Sequence, residues 1–411
     1  MKKVILGILP LFLFAGLSCN NDLEETDLSP VKIELNMTEK KIVEDQNDFA
    51  FKLFASLYET STDQSKNMLI SPFSVHCALG MLSNGAVGET KTGILSAMQL
   101  GGYEQSEVND YFQKMIQGLV GADPAVLFET ANSIWYNKNI RLKDDFVRST
   151  KKQYEAEITS LDFSNASSVA RINDWCKKKT KGKIPKIIDE VYPQAIAYLL
   201  NAVYFKARWQ SVFSEQKTSK APFYLENGQT STVDFMHKDG SFYSYSDELF
   251  STIALPYSTG TYYMRLIVPA ESASLKEVVT ALSKRGYLAD CLQKSEVRDV
   301  ELSLPRFEIE SDNELKEALS MMGMNASFNL QQADFSDLAD NSFIVSGVKH
   351  SACFKVDEEG SEGAAVTAIM TDGAFIEPHE KLILKADRPF LFMVTENETG
   401  AILFMGKVGV L

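Results

Sequence analysis

Cysteine and histidine are scarce in this chain of 411 residues. It has five cysteines and four histidines, and no two cysteines have the C-x-x-C spacing that is typical of zinc and redox sites. No G-x-S-x-G sequence surrounds a serine, no H-E-x-x-H motif is present, and Gly406-Lys407 lacks the spacing of a phosphate-binding loop. The sequence therefore gives no positive support for a metal site, a cofactor or an enzyme.

An excess of positive charge is missing as well. The formal net charge is -14 at pH 7, which argues against nucleic acid as a partner because proteins that bind it carry basic patches. Hydrophobic residues make up 45% of the chain and charged residues 23%, so a sizeable core is available. No repeat and no proline-rich or glycine-rich linker divides the chain, and one domain of mixed helices and strands is the simplest prediction.

The N-terminus has the layout of an export signal. Lys2 and Lys3 precede an apolar run at residues 4–17 that is short for a membrane span, and Ser18 and Cys19 follow. A cysteine directly after a small residue resembles the bacterial lipoprotein signal, in which the thiol is acylated, although Gly16 stands where that signal commonly has leucine. We expect residues 1–19 to be a signal peptide with lipidation at Cys19; an ordinary signal peptide cleaved nearby is the alternative.

Residues 20–41 are polar, acidic and aperiodic, and we expect them to form a flexible tether. The chain would then be exported and anchored to the bacterial outer membrane or the cell surface. Without the lipid it would be periplasmic or extracellular. The other four cysteines are far apart and lie partly in apolar runs; pairing is open to an exported chain, but we expect isolated buried thiols at Cys77, Cys176, Cys291 and Cys353.

Apolar periodicity predicts helices and strands over the remaining chain. Phe49, Leu53, Phe54 and Leu57 have the spacing of an amphipathic helix. Further helices are predicted at 73–85, preceded by Ser71 and Pro72, and at 146–157, and strands at 132–136, 195–205, 264–268 and 300–309. The apolar runs 390–394 and 401–408 flank a turn-like segment and predict a hairpin.

Residues 357–378 are unusual, because acids are followed by a run of small residues and then by mixed polar and apolar ones. Such a run is commonly a flexible linker. However, the odd-numbered positions from Ser361 to Gly373 carry no charge, and Glu362 and Asp372 lie in the opposite phase. Since side chains alternate faces along a strand, this segment could enter a sheet with only small or neutral groups facing the core.

This segment and its flanks resemble the hinge and reactive loop of the serpin family. The hinge signature of an acid, any residue, glycine, then Ser or Thr and small residues matches Glu358, Gly360, Ser361, Gly363, Ala364 and Ala365. Other stretches resemble the family in the same order along nearly the whole chain after residue 42: 67–74, 85–90, 131–135, 172–175, 180–184, 200–206, 304–307, 388–392 and 404–408.

The resemblance implies an α+β serpin fold at residues 42–411, a single domain with a large central sheet, further sheets, surrounding helices and an exposed reactive loop at about 358–385. Counting 16 residues beyond Glu358 places the bond that a protease attacks at Ala374-Phe375, although Met370 or Phe375 could instead supply the specificity residue. The family's shutter, a polar cluster beneath the sheet where strands part, matches Ser71, Ser74, Asn201 and His350. The breach, at the top of the sheet where insertion starts, matches Trp209.

The function implied is inhibition of a serine protease by a suicide-substrate mechanism, in which the cleaved loop inserts into the sheet. A small residue before the bond favours an elastase-like or subtilisin-like target, with a cysteine protease as a further option. The alternative is a non-inhibitory serpin that acts as a surface binding or carrier lipoprotein. We expect a monomer that meets a membrane only through its lipid anchor.

Overall fold

A computed structural model of the chain describes residues 29–193, 195–340, 344, 345, 347–361 and 381–411. Helices surround the sheets. The α-helices are α1 (Met37–Thr60), α2 (Pro72–Ser83), α3 (Gly88–Ala97), α4 (Gln105–Gly121), α5 (Asp144–Tyr154), α6 (Ser167–Lys179), α7 (Leu275–Leu282), α8 (Tyr287–Leu292) and α9 (Lys316–Met321), with 3-10 turns at Glu215–Lys217 and Asn325–Phe328.

The strands form three sheets in the described part of the chain. They are β1 (Met68–Ile70), β2 (Leu127–Asn137), β3 (Glu157–Leu161), β4 (Ala197–Arg208), β5 (Ser219–Tyr224), β6 (Thr230–Ser246), β7 (Phe250–Tyr257), β8 (Tyr262–Pro269), β9 (Glu296–Pro305), β10 (Phe307–Glu314), β11 (Lys349–Val356), β12 (Gly360–Ser361), β13 (Leu382–Lys385), β14 (Phe390–Glu396) and β15 (Ile402–Val408). Nine strands make one sheet, the order β12-β4-β2-β3 makes a second, and β10 pairs with β11 in a third.

The N-terminal boundary of the fold lies earlier than expected, and the tether predicted to reach residue 41 is wrong at its C-terminal end. Asn36 caps α1 by accepting from the Glu39 N–H, while the Glu39 carboxylate accepts from the Asn36 N–H. This reciprocal cap fixes the first turn of the helix. Ile33 is already buried in the core, so packing extends to residues before the helix.

The predicted helix at 73–85 is confirmed as α2, which begins at Pro72 and ends at Ser83. Ser71 occupies the cap position and its side chain accepts from the Ser74 N–H, while proline suits the first helical turn. The helix predicted at 146–157 ends at Tyr154, because Glu155 takes a left-handed conformation with φ of 51° and Glu157 begins β3.

The predicted C-terminal hairpin is confirmed by antiparallel pairing of β14 with β15. The predicted strand at 195–205 is confirmed as β4. The stretch predicted as strand at 300–309 contains two strands, β9 and β10, which separate at Arg306. The proline before it cannot donate to a ladder, which suits the end of a strand.

The thiols are unpaired as expected. Cys77, Cys176 and Cys291 are buried and Cys353 is half-buried, all four as free cysteines. A large core fills the space between the nine-stranded sheet and the helices, and a second apolar cluster seats α6 on the face of the four-stranded sheet through Trp135, Ile172 and Trp175. Within the described residues, none of the helices has the length and apolar character needed to cross a bilayer.

Candidate functional site

A gap lies between two neighbouring strands, β4 and β11, that belong to different sheets. One edge of β4 pairs with β2 along its length. On the other edge, β12 pairs antiparallel with the upper end of β4, with Gly360 opposite Arg208 and Ser361 opposite Ala207. Below Ala207, none of the described strands pairs with this edge of β4. The edge can therefore accept a longer antiparallel strand that continues from β12.

The lower gap is covered by the segment that follows α6. Thr180, Lys183 and Ile184 of that segment lie over the region where β4 residues 203–205 and β11 residues 353–355 approach each other. The space enclosed there is about 10 Å³, room for roughly one water molecule. A strand that fills the lower gap must therefore part β4 from β11 beneath this cover.

Glycine is required where β12 begins. Gly360 has φ of +154°, and a Cβ placed on it would lie 2.2 Å from the carbonyl oxygen of Ala207 and 2.7 Å from the Cα of Arg208. No side chain fits at such an approach. Glycine at this position therefore lets the backbone approach β4 closely enough to begin pairing with it.

The Glu358 side chain is held beside the start of β12 by an ion pair. Its carboxylate accepts from Arg306 Nε at 2.7 Å and Nη2 at 2.6 Å, and also from the Thr218 hydroxyl. Burial would raise the pKa of the Glu358 carboxyl, but the hydrogen bonds from Arg306 and Thr218 hold it below its usual value. The charged form is thus the stable one, and it fixes the chain that leads into β12.

Trp209 and Tyr257 form the floor beneath the same segment. Their rings stack with centroids 4.3 Å apart, and Trp209 Nε1 donates to the Asp357 carbonyl at 2.9 Å. The Tyr257 hydroxyl and the Ser361 Oγ share a hydrogen bond of 2.7 Å. Ser361 is 1% exposed, so its side chain faces inward, in the phase predicted from sequence. We call residues 358–361 the seated hinge.

The four predicted shutter residues lie together. The Ser71 N–H donates to His350 Nε2 at 2.9 Å, and the Ser71 hydroxyl donates to the Leu403 carbonyl at 2.8 Å. The Ser74 N–H donates in turn to the Ser71 Oγ at 3.3 Å. These bonds tie the start of α2 to both β11 and β15.

The hydrogen bonds of the shutter extend to β4 and β2 through the side-chain amide of Asn201. Ser74 donates its hydroxyl to the Asn201 side-chain carbonyl. The Asn201 amide donates to Asn132 Oδ1 at 2.6 Å, and Asn132 donates to the Tyr154 carbonyl at 2.7 Å. The shutter therefore connects the strands on both sides of the lower gap to one helix.

His350 is neutral in this position. Burial lowers the pKa of its imidazole to about 4. Because Nε2 accepts from Ser71, the proton of the neutral ring is on Nδ1. The ring acts here as an acceptor that bridges β11 and α2.

Several predicted site residues lie outside the described residues: Cys19, Gly363, Ala364, Ala365, Ala374 and Phe375. The bounds expected for an exposed reactive loop, about 358–385, are wrong at both ends. The seated hinge is buried and its last two residues are in a sheet, and residues 382–385 form β13, parallel to β9. Each end forms a strand by pairing with a neighbouring one, β12 with β4 and β13 with β9.

Sequence reasoning missed Arg306, Thr218 and Tyr257 as partners of the seated hinge. Arg306 lies in the family-like stretch 304–307, but its partner Glu358 is 52 residues away. Tyr257 ends an apolar strand in which it looks like core. The pairing of Arg306, which follows a proline, with the buried Glu358 can be recognised only when the fold is known.

Comparisons with known proteins agree with this geometry. The profile of the family described as Serpin (serine protease inhibitor) matches residues 44–410. The leukocyte elastase inhibitor A of Rattus norvegicus is 32% identical over 88% of this chain and 97% of its own. The native state of tengpin, a thermophilic serpin, superposes with a TM-score of 0.82 at 31% identity, over 93% of this chain and 97% of tengpin.

Human thyroxine-binding globulin is also similar, with a TM-score of 0.80 at 28% identity over 91% of this chain and 99% of its own. The chain belongs to the serpin family. Its fold is that of the family, with mixed helices and sheets in a single domain. Many serpins inhibit serine proteases, and they do so without being enzymes.

Proposed function

We propose that this serpin inhibits serine proteases as a suicide substrate. The target's serine attacks the carbonyl carbon of the reactive bond, the new O–C bond forms as the peptide C–N bond breaks, and the released amine takes a proton. About 14 residues from Ser361 to Ala374 then enter the gap as a strand, which moves the acyl bond on the order of 45 Å. The protease is carried across the inhibitor before water can free it.

The seated hinge is the observation that carries this proposal. Ser361 is small, buried and hydrogen-bonded to Tyr257, and the edge of β4 below it has none of the described strands as a partner. Insertion can therefore proceed by extending a ladder whose first two residues are already paired. A hinge with bulky or charged side chains in this phase would argue against it.

We place the reactive bond at Ala374-Phe375, with Met370 or Phe375 as other specificity residues. A small residue before the bond suits elastase-like or subtilisin-like proteases, and the similarity to a leukocyte elastase inhibitor supports the elastase type. A cysteine protease is a further option. The mass of the C-terminal peptide released by each protease of a panel identifies the bond.

The experiment that tests the proposal measures SDS-stable complex with those proteases for the wild type and for Ser361→Arg. We expect complex with the wild type. In the variant, an arginine cannot fit the site of a side chain that is 1% exposed, so complex should fall more than tenfold and cleaved protein should accumulate. Ser351→Arg is a matched control, because Ser351 is half-exposed on β11. Undiminished complex in Ser361→Arg would contradict the mechanism.

We also propose that the protein is exported and lipid-anchored through Cys19. The support is the signal-like N-terminus and the burial of Ile33 in the core, since only a short stretch of sequence then separates Cys19 from the folded body. Labelled palmitate should be incorporated into the wild type and not into Cys19→Ala. Equal incorporation into the two proteins, or incorporation into neither, would contradict the proposed anchor.

A second candidate function is that of a carrier, and a cavity favours it. A space of about 940 Å³ lies between α1, α8 and the nine-stranded sheet. Arg265 of β8 lines it, burial lowers its pKa to about 10, and among the described residues its Nη1 has no hydrogen-bond partner. Tyr243, Tyr263 and Tyr287 supply aromatic walls. A buried guanidinium nitrogen without a partner suits an anionic group.

Thyroxine, an amino acid with aromatic rings and a carboxylate, is bound in the similar human globulin and is a suitable probe for this cavity. A carrier should bind it saturably, and Arg265→Gln should weaken binding roughly tenfold or more, the loss expected for a charged hydrogen bond. A carrier without inhibitory function also forms no SDS-stable complex. Absence of saturable binding removes this candidate and leaves the inhibitor proposal untouched.

A further inference from the structure

The chain reaches the folded body along α4. The Val31 N–H donates to the Ala122 carbonyl at 2.9 Å, and Lys114 Nζ donates to the Glu34 carbonyl at 3.3 Å. Between these points Ile33 is buried, and a Cβ on Gly118 would lie 2.9 Å from its Cγ1. An extended segment therefore runs along the C-terminal half of the helix, and Val31 stands at the helix end.

Apolar side chains are exposed at this point. Val31 is 64% exposed, Val120 near the end of α4 is 49% exposed, and Leu127 at the start of β2 is 40% exposed. The hydrogen bond from Val31 to Ala122 brings the first two segments together, and a turn in which the Val126 N–H donates to Asp123 leads to Leu127. We call Val31, Val120 and Leu127 the apolar patch.

Two lysines flank the apolar patch. Lys32 has a side chain that is 74% exposed, although it approaches Glu398 at 3.1 Å. Lys206 lies opposite Leu127 in the sheet register. Ammonium groups beside apolar side chains suit the boundary of a phospholipid layer, where the cation meets phosphate and the apolar group meets acyl chains.

We propose that the apolar patch docks on a phospholipid bilayer when the chain is held there by its N-terminus. This inference rests on the proposed anchor at Cys19. The 12 residue steps from Cys19 to Val31 span at most roughly 40 Å, so the patch always lies within reach of the surface. The tether supplies a high effective concentration, and weak apolar burial is then sufficient for docking.

Docking brings the hinge end close to the bilayer. Leu127 pairs with Lys206 on one edge of β4, and Ser361 pairs with Ala207 on the other. Two strand spacings separate them, roughly 10 Å. The inhibitor thus presents the seated hinge near the membrane surface, which favours targets that are themselves at that surface.

The test uses residues 20–411 with an N-terminal hexahistidine tag, in a Cys353→Ser background. The protein is tethered to vesicles of phosphatidylethanolamine and phosphatidylglycerol that contain nickel-chelating lipid. An environment-sensitive fluorophore is attached at Val31→Cys, or at Leu330→Cys as a control, since Leu330 has a matched exposure of 63%. Nitroxide-labelled lipids should quench the probe at position 31 several-fold more than the probe at position 330.

Substitution of the patch gives the second arm. Val120→Ser with Leu127→Ser should abolish the difference in quenching between the two probes. Equal quenching in the unsubstituted protein overturns docking, and so does a dimer in solution that is lost in the double variant, because a second copy would then be the occupant. Nickel lipid replaces the natural anchor, so failed acylation of Cys19 leaves this result interpretable. SDS-stable complex measured without vesicles reports separately on inhibition.

Discussion

The two ends of the gap between β4 and β11 are built differently. At the hinge end, backbone already occupies the space: Gly360 and Ser361 pair with β4, and Glu358 is fixed by Arg306. At the shutter, side chains close the space, with Asn201 held by Ser74 and His350 held by Ser71. Asn201 lies six residues below Ala207 along β4, roughly 20 Å away.

For the proposed insertion, this difference places the obstacle at the shutter end of the gap. The hinge end needs no rearrangement to begin a ladder, because its first pairs exist. The shutter bonds must be broken or exchanged before a strand can pass, since they link α2 to strands on both sides of the gap. If insertion occurs as proposed, these polar contacts in the lower gap are what the incoming strand must displace.

Loop cleavage should have the largest effect on this comparison. When the reactive loop of the isolated protein is nicked, insertion should raise Tm by more than about 10 °C, because a new central strand adds hydrogen bonds on both edges and a shift of several kcal/mol moves Tm by that much in a large domain. Thermal unfolding followed by circular dichroism measures it. The Ser361→Arg protein, nicked in the same way, is the control. An unchanged Tm in nicked wild type would mean that the gap does not accept the loop.

Breaking the ion pair tests the hinge end alone. Glu358→Gln leaves Arg306 without its carboxylate partner, and we expect a loss of about 2 kcal/mol in native stability, less than for a fully buried pair because the Arg306 side chain is 43% exposed. Asp234→Asn is the matched control, since Asp234 approaches the same Arg306 at 4.0 Å with 43% of its side chain exposed. Equal losses in the two variants would assign no special role to Glu358.

Acidification should lower the stability of the protein through His350 of the shutter. The pKa of His350 is about 4 in the folded protein and about 6.5 when unfolded. Between these values the unfolded state binds more protons, so stability falls as pH falls from 6.5 towards 4 and is unaffected by this group above 6.5. At pH 5.5 the cost is about 1 kcal/mol.

The measurement compares Tm at pH 7.5 and pH 5.5 for wild type and His350→Gln. The variant should lose less stability on acidification, by that amount. Burial also lowers the pKa of His76, to about 3, against a smaller opposing effect of its hydrogen bond with the Met98 carbonyl; this contribution is common to both proteins and cancels. Identical pH dependence in the two would show that His350 is accessible to protons in the native state.

Sequence patterns predicted the parts of the site that are local or periodic. The inward phase of Ser361 followed from strand alternation, and the start of the helix after Ser71 and Pro72 followed from apolar spacing. The positions of Asn201 and His350 came from resemblance to the family rather than from any pattern in their own neighbourhoods. Each of the two is a polar residue in a strand, and its partner lies far away in the chain.

The parts that were missed depend on long-range geometry. Glu358 and Arg306 meet only because β10 and β11 pair in a fixed register that brings residue 307 opposite residue 356. The tether boundary failed for a different reason: Asn36 and Glu39 form a capping box in a stretch whose acidic composition is typical of disorder. The prediction averaged composition over the 22 residues 20–41 and therefore missed a four-residue signal.

Hydrogen exchange should distinguish the hinge end of the gap from its lower part without any substitution, and here we expect the smallest effect. The Trp209 N–H donates to the Glu359 carbonyl at 2.8 Å. Because N–H directions alternate along a strand, the amides of Phe205 and Val203 point to the same edge, where none of the described strands pairs with β4. Native protein should therefore exchange more slowly at Trp209 than at 203 and 205, whereas nicked protein should protect all three. Amides of β4 that face β2 serve as the internal control, since their pairing is the same in both states. Strong protection at 203 and 205 before cleavage would mean that the lower gap is already closed by backbone, and the contrast between a seated hinge and a shutter of side chains would fail.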